Sequence, residues 1–363
     1  MYSIHYMSVV FALIIIFSFI ITSKLTRGYV YQSKNLNLTI EGLRGLACIF
    51  VFVNHSAWVM TNNSISSESI NYSIFNYFGN FGSFGVELFF CITGFLFSSK
   101  IKNGKFDLIF FEKRIKRLAP AYILVSTLVL ILFTIKYNYL INSFSDFSLL
   151  IQQIYGFGFF GSGIRIGNEV ITSLNVVTWT LPYEWKFYAT IPFIAVIFRN
   201  KKLLILLILF ALLYSFSQYL ENHTLWIYFV IGFLGSYIKP VKENPLRLLL
   251  VLFSVLLMVF SIISDEYQYG FLRIFYVGSF FLVCLLSNPP YLKTSTLTTL
   301  GTISYGIYIL HQPIMFSVSN ILVFVSSRDD FPFRYLLIIS LSSLVITIIL
   351  SIIMYKYVER RFI

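Results

Sequence analysis

The sequence predicts an all-α, polytopic integral membrane helix bundle of about eleven transmembrane helices, and three observations carry this. First, 58% of the 363 residues are hydrophobic and only 12% are charged, with mean hydropathy +0.81, whereas soluble domains carry about 25% charged residues. Second, the apolar residues fall into eleven runs joined by polar connections. Third, 21 of the 27 lysines and arginines fall in alternate connections, as the positive-inside rule requires of a multi-pass protein.

The first run, 4–22, is followed by Lys24 and Arg27. A secretory signal has its positive charges before the apolar segment, so this run reads as a retained helix with its N-terminus outside. Residues 1–37 then form one additional N-terminal transmembrane helix and a cytoplasmic linker, and residues 38–363 form the main transmembrane domain. The second run is 43–60 and the third 82–98. A basic connection, 100–119, precedes the fourth run, 120–137. The longest connection, Asn138 to Thr178, contains the Gly/Phe segment YGFGFFGSGIRIGNE; connections this long are functional or disordered.

The fifth run is 179–198 and the sixth 203–220; the tight turn Glu221 to His223 makes a hairpin with the seventh, 224–238. The eighth is 246–263 and the ninth 270–287. The tenth, 299–325, is long enough to be tilted or kinked at Pro313. The eleventh is 335–355, leaving Lys356, Arg360 and Arg361 on a cytoplasmic C-terminal tail. Outside, or at the outer edge, stand Lys136, Arg165, Arg273, Arg328 and Arg334, and Lys186 lies within a span. The formal charge of +12 sits between membrane runs, which argues against a nucleic-acid partner. Cys48, Cys91 and Cys284 all lie in apolar runs, which suits packing rather than disulfides or a metal site.

Ionisable residues at membrane depth are the functional candidates, because placing them there is costly. Arg44 and His55 are eleven residues apart, about three helical turns, so they share a face and stand roughly 16 Å apart along the axis. Either the pair is functional, or Arg44 is a helix-end anchor and His55 is satisfied by a neighbouring helix. Arg114 and Arg117 share a helical face. Paired guanidiniums suit phosphate oxygens, but a basic cluster also suits lipid headgroups. Glu87, Glu184 and His311 join His55 in the middle to outer layer. Each alone has a structural reading, such as Glu184 paired with Lys186. Together they suggest a polar cavity with a His–Glu arrangement fit to activate a hydroxyl.

Six segments carry a family resemblance: IEGLRGLACIFVFVNH, GVELFFCITGFLFSSKI, FEKRIKRLAPAY, VTWTLPYEWKFYATIP, SYGIYILHQP and YKYVERRF. In this order, from about residue 38 to the C-terminus, they resemble the membrane-bound acyltransferase 3 family, which O-acylates sugars and other surface molecules. The resemblance implies a ten-helix core beginning at the second run. It also implies catalytic roles for Arg44 and His55, with Glu184 and His311 at the family's buried polar positions. It places the acyl donor on Arg114, Arg117 and Arg44, and leaves Glu87, Trp179 and Tyr183 as candidate acceptor-binding residues.

There are departures from the family pattern. Ala57 replaces an acidic residue two positions after the histidine, so Glu87 or Glu184 is left to orient His55. Thr93 replaces a serine, and Arg360 a proline. The resemblance carries no expectation of the soluble hydrolase-like domain that follows the helices in some relatives, so the membrane part is expected to act alone or with a separate partner.

The implied function is transfer of an acyl group, by default acetyl, from cytoplasmic acetyl-CoA to a hydroxyl of a surface polysaccharide such as the O-antigen of lipopolysaccharide. This would occur at the outer side of a bacterial inner membrane. The implied partners are acyl-CoA, a lipid-linked or surface glycan and membrane lipids, with no bound cofactor and no metal. Polysaccharide export by the same fold, or acylation of a lipid, are the alternative readings.

Overall fold

The computed structural model describes residues 4–25, 37–61, 72–103, 109–198, 200–220, 225–264, 268–326 and 334–362. It is mostly helical, with one small β-hairpin in the described residues. Helix α1 (Ile4–Leu25) packs mainly against the last helix, α13 (Arg334–Tyr357), and buries Ile14 and Ser18. Next come α2 (Leu38–Thr61) and α3 (Tyr72–Asn103), the pair at the centre of the bundle. Helix α2 starts five residues before its apolar run because Asn37 caps it: Asn37 Oδ1 accepts the N–H groups of Thr39 (3.1 Å) and Ile40 (3.3 Å).

Helix α4 (Ile109–Tyr137) begins well before its apolar run and continues through Pro120. The basic stretch expected to be a connection is therefore helical at 100–103 and again from 109 onward. This orders its charges by face: Lys113 and Lys116 are exposed, Lys116 bonding Glu112 at 2.5 Å, while Arg114 and Arg117 turn inward.

The Asn138–Thr178 connection is folded. It holds α5 (Phe144–Tyr155), the antiparallel hairpin β1 (Ile164–Ile166) and β2 (Glu169–Ile171), and a short turn of helix at Val176–Thr180. Gln153 locks the hairpin to α5: its carboxamide donates to Arg165 O (3.0 Å) and accepts from Arg165 N–H (2.6 Å). Helix α4 holds the end of α5, with Tyr122 and Ser126 both donating to Ile154 O (2.9 and 3.0 Å) and Phe157 stacked on Tyr122 at 4.0 Å.

After this come α6 (Leu181–Ile197), α7 (Lys201–Leu220), α8 (Trp226–Gly235), α9 (Pro245–Ile263) and α10 (Phe271–Ser287). The run expected as one helix over 299–325 is two, α11 (Ser295–Thr302) and α12 (Ser304–Ser326). The break comes at Ile303, and Pro313 lies inside α12 without ending it. Packing explains the position. A Cβ at Gly301 would stand 2.0 Å from Glu41 O, and one at Gly45 would stand 2.1 Å from Leu297 O. Only glycine permits this backbone-to-backbone contact, which ties α11 to the direction of α2 and leaves α12 to start afresh.

Among the described residues six helices are long and apolar enough to cross a membrane: 38–56, 79–103, 109–140, 245–263, 304–325 and 337–361. Three apolar helices are shorter, at 12–25, 226–235 and 271–287. The ten residues of α8 reach about 15 Å, half of a ~30 Å hydrocarbon core. The chain is a multi-pass membrane protein, and hydropathy counted α8 as a span because it registers apolarity better than length.

Deep in the bundle, Glu87 of α3 and Arg273 of α10 form a two-pronged ion pair, 2.9 Å at each contact, with both side chains fully buried. Arg273 also donates to Ser261 O (3.0 Å), and Asn80 Nδ2 bonds Ile262 O (3.0 Å) and Ser264 O (2.9 Å). Arg273 was expected outside or at the outer edge; here it is fully buried and fastens α3, α9 and α10 together.

Candidate active site

A cleft with a cavity of about 100 Å³ opens between α2, α3, α4, α6 and α12. Three of its wall residues are the arginines picked out by sequence: Arg44 from α2, and Arg114 and Arg117 from α4. The three-residue spacing on α4 puts both guanidiniums on the inward face. Arg114 lies over the Phe97 ring, 4.5 Å from its centre, a favourable cation–π placement. Neither Arg114 nor Arg117 forms an ion pair with a described residue. Arg44 is held by Glu41 one turn before it, at 3.2 and 3.4 Å.

Glu184 also lines the cleft. It accepts from Tyr188 O–H (2.9 Å) and Thr93 O–H (3.4 Å), so the threonine standing in for the family's serine supplies a hydroxyl here. Lys186 is not its partner; that ammonium stands 5.6 Å over the Tyr183 ring.

The histidines lie one turn beyond the cleft. Tyr308 lines it, and the Tyr308 ring is 6.2 Å from that of His311. Tyr308 O–H donates to Val177 O (3.0 Å) and stands 2.7 Å from the Thr180 hydroxyl, so α12 is fastened here to the turn before α6. His311 Nε2 is 3.2 Å from His55 Nδ1. Two histidines 256 positions apart in the chain thus meet nitrogen to nitrogen.

The proton positions follow from their own helices. His311 Nδ1 is 3.0 Å from Ile307 O, and His55 Nδ1 is 2.9 Å from Val51 O. A carbonyl only accepts, so each neutral ring carries its proton on Nδ1. His311 Nε2 is then a lone pair facing His55 Nδ1–H, and the basic nitrogen of His55 is Nε2. The short reach back to the preceding turn is typical of helical side chains, which lean toward the N-terminus.

The carboxylates considered for orienting His55 are engaged elsewhere: Glu87 with Arg273, and Glu184 with Tyr188 and Thr93. Among the described residues, the side chain that meets His55 is His311. Ala57, the departure from the family pattern, has its side chain outside the described residues. Trp179 and Tyr183 pack edge to face at 5.8 Å, Trp179 also against Tyr269 and Tyr183 against Phe90; neither lines the cleft. Sequence reasoning missed Tyr308, Tyr188 and Ser304 of the wall. Tyr308 was legible, one turn before His311 in the quoted SYGIYILHQP.

Residues 37–356 match the family described as an acyltransferase domain, so the chain belongs to that acyltransferase family. It is similar to the O-acetyltransferase OatA of Staphylococcus aureus, strains NCTC 8325 and COL, at 23% identity over 365 residues covering 88% of this chain and 56% of that protein. It is also similar to "Putative acetyltransferase ORF330" of Acidianus two-tailed virus, at 26% identity over 343 residues covering 87% of this chain and 96% of the viral protein. The chain therefore spans about half the length of OatA and nearly the whole of ORF330. No solved structure matches the chain.

Proposed function

We propose that the chain is an O-acyltransferase that carries an acyl group, acetyl by kinship with the relatives above, from cytoplasmic acyl-CoA to a hydroxyl of a surface polysaccharide such as O-antigen, on the outer side of a bacterial inner membrane. The observation that carries this is the order of groups along one path. Three arginines line the cleft, two of them without an ion-pair partner among the described residues, and a histidine pair lies one helical turn beyond Tyr308 of its wall.

In this reading the basic end faces the cytoplasm, the N-terminus is outside, and the arginines hold the donor's phosphates in bidentate fashion. The thin pantetheine arm runs along α12 toward Tyr308, which must swing aside for the thioester to reach His55. His55 Nε2 takes the proton of the acceptor hydroxyl, and its oxygen attacks the thioester carbonyl. The C–S bond breaks, the proton passes to the thiolate, and the products are an ester and free CoA. The imidazolium formed on the way is stabilised through Nδ1–H by Val51 O and by the His311 lone pair. The acceptor enters from the far side, beneath the folded α5–hairpin cap, with Trp179 and Tyr183 in the aromatic layer it meets there.

The test is ester formation on the native surface glycan, read by mass spectrometry in cells carrying wild-type chain or His55→Gln at matched protein levels. Gln preserves hydrogen bonding but cannot take up and release a proton, and a lost general base costs about 10²–10⁴-fold. Near-normal ester formation by His55→Gln would remove His55 from the chemistry.

A further inference from the structure

We propose that the first turn of α12 is part of the donor site, with Ser304 Oγ completing a phosphate seat opposite Arg44 and Arg117. The inference rests on the acyl-CoA reading above and names a contact within it. Ser304 is the first residue of α12, is 1% exposed and lines the cleft together with all three arginines. Its hydroxyl has no hydrogen-bond partner among the described residues. Buried polar groups are almost always satisfied, and a serine at a helix start can turn its hydroxyl to an incoming oxygen without giving up a helix bond.

The first-turn N–H groups of a 23-residue helix add positive potential at the same place, the usual setting for a phosphate oxygen. The break at Ile303 creates this helix start, and the contact of Gly301 with Glu41 holds it beside the turn that bears Arg44. The carboxylates of this region do not occupy the seat. Glu41 grips Arg44, Glu184 is bonded to Tyr188 and Thr93, and Glu359, buried near Arg117, is not in the cleft wall. Along α12, Ser304, Tyr308 and His311 share one face over roughly 10 Å, so the seat lies on the track that leads to the histidines.

A phosphate at this place comes either from acyl-CoA or from a lipid headgroup, and the experiment separates the two. The full chain, wild type, Ser304→Ala or Ser304→Thr, is placed in lipid nanodiscs. Affinity is measured for acetyl-CoA and for acetylpantetheine, which lacks phosphate, with and without phosphatidylglycerol in the disc. The expected result is about tenfold weaker acetyl-CoA binding by Ser304→Ala, as for loss of a hydrogen bond to a charged group, with acetylpantetheine unchanged and Ser304→Thr within about threefold of wild type. The melting temperature of unliganded Ser304→Ala should not fall, because the lost hydroxyl had no partner among the described residues.

Equal acetyl-CoA affinity in wild type and Ser304→Ala overturns the seat and leaves the donor reading standing. Equal weakening of both ligands overturns the phosphate assignment. An effect of Ser304→Ala on competition by phosphatidylglycerol alone assigns the seat to lipid and overturns the proposal. Absence of acetyl-CoA binding by the wild type removes the donor reading itself. Should Ser304→Ala fail to fold, competition of acetyl-CoA by inorganic pyrophosphate in wild type, undiminished in Ser304→Thr, decides the same question; no competition overturns the seat.

Discussion

At the scale of single residues, the proposed mechanism gives different tasks to the two histidines that meet at 3.2 Å, His55 as base and His311 as its support. Val51 O fixes the proton of His55 at Nδ1 without help from His311, so removing His311 should leave the tautomer intact. What is lost is a lone pair at 3.2 Å that stabilises the imidazolium as it forms. His311→Ala should therefore lower kcat by about 10–100-fold, less than loss of the base itself, with the donor KM unchanged. A kinetic split measured on purified protein tests this; a raised donor KM with unchanged kcat would place His311 in donor binding instead. Arg114→Ala with Arg117→Ala should show the opposite pattern, weaker donor binding with the fold intact, and lysine at either position should rescue only partly because the bidentate fork is lost.

At the scale of elements, apolar runs and their order were legible, because membrane burial imposes a simple composition rule over about twenty residues. What hydropathy could not show was where a run breaks. The break at Ile303 depends on Gly301 meeting Glu41 some 260 positions away, a contact invisible in the local pattern. The same limit hid the α5–hairpin cap, whose fold rests on Gln153 clamping Arg165 and on α4 holding Ile154. Polar residues within spans were legible as costly. Their partners were not: the sequence offered Glu87 to His55, and the structure pairs it with Arg273.

A direct test of the α2–α11 contact is Gly301→Ala. Its Cβ would collide with Glu41 O, so the helices must part, at a cost of about 1–3 kcal/mol for an overpacked site. A lowered melting temperature in detergent, together with weaker acetyl-CoA binding, is the expected result. A variant as stable as wild type would show that the contact does not set the helix positions.

At the scale of the whole molecule, the Glu87–Arg273 pair is a fully buried tie between α3 and α10, away from the cleft wall. Truncating one partner strands a charge in the core, which typically costs about 3–5 kcal/mol. Arg273→Ala should therefore accumulate poorly or melt far below wild type. A double replacement by apolar residues of similar volume, Glu87→Leu with Arg273→Met, should recover most of that stability, because a buried pair is seldom better than a packed apolar one. Melting temperatures of the three proteins decide it; equal losses in the single and double variants would mean that the pair also holds something else in place.

The orientation proposed for the bundle in the membrane rests on charge at the same scale. The basic faces of α3 and α4, with Lys100, Lys102, Lys113 and Lys116, gather at one end with the three cleft arginines. The α5–hairpin cap follows the other end of α4 and carries exposed Phe159 and Phe160. Lysine and arginine excess marks the cytoplasmic side, and exposed aromatics suit the opposite interface. Cysteine placed at Lys113 and at Phe160, both exposed positions, reads the orientation directly. The native Cys48, Cys91 and Cys284 are buried, so they contribute little background. An impermeant maleimide on intact cells should label Phe160→Cys at once and Lys113→Cys only after the membrane is opened. The reverse pattern would invert the bundle, put the arginines outside, and leave cytoplasmic acyl-CoA with no route to them.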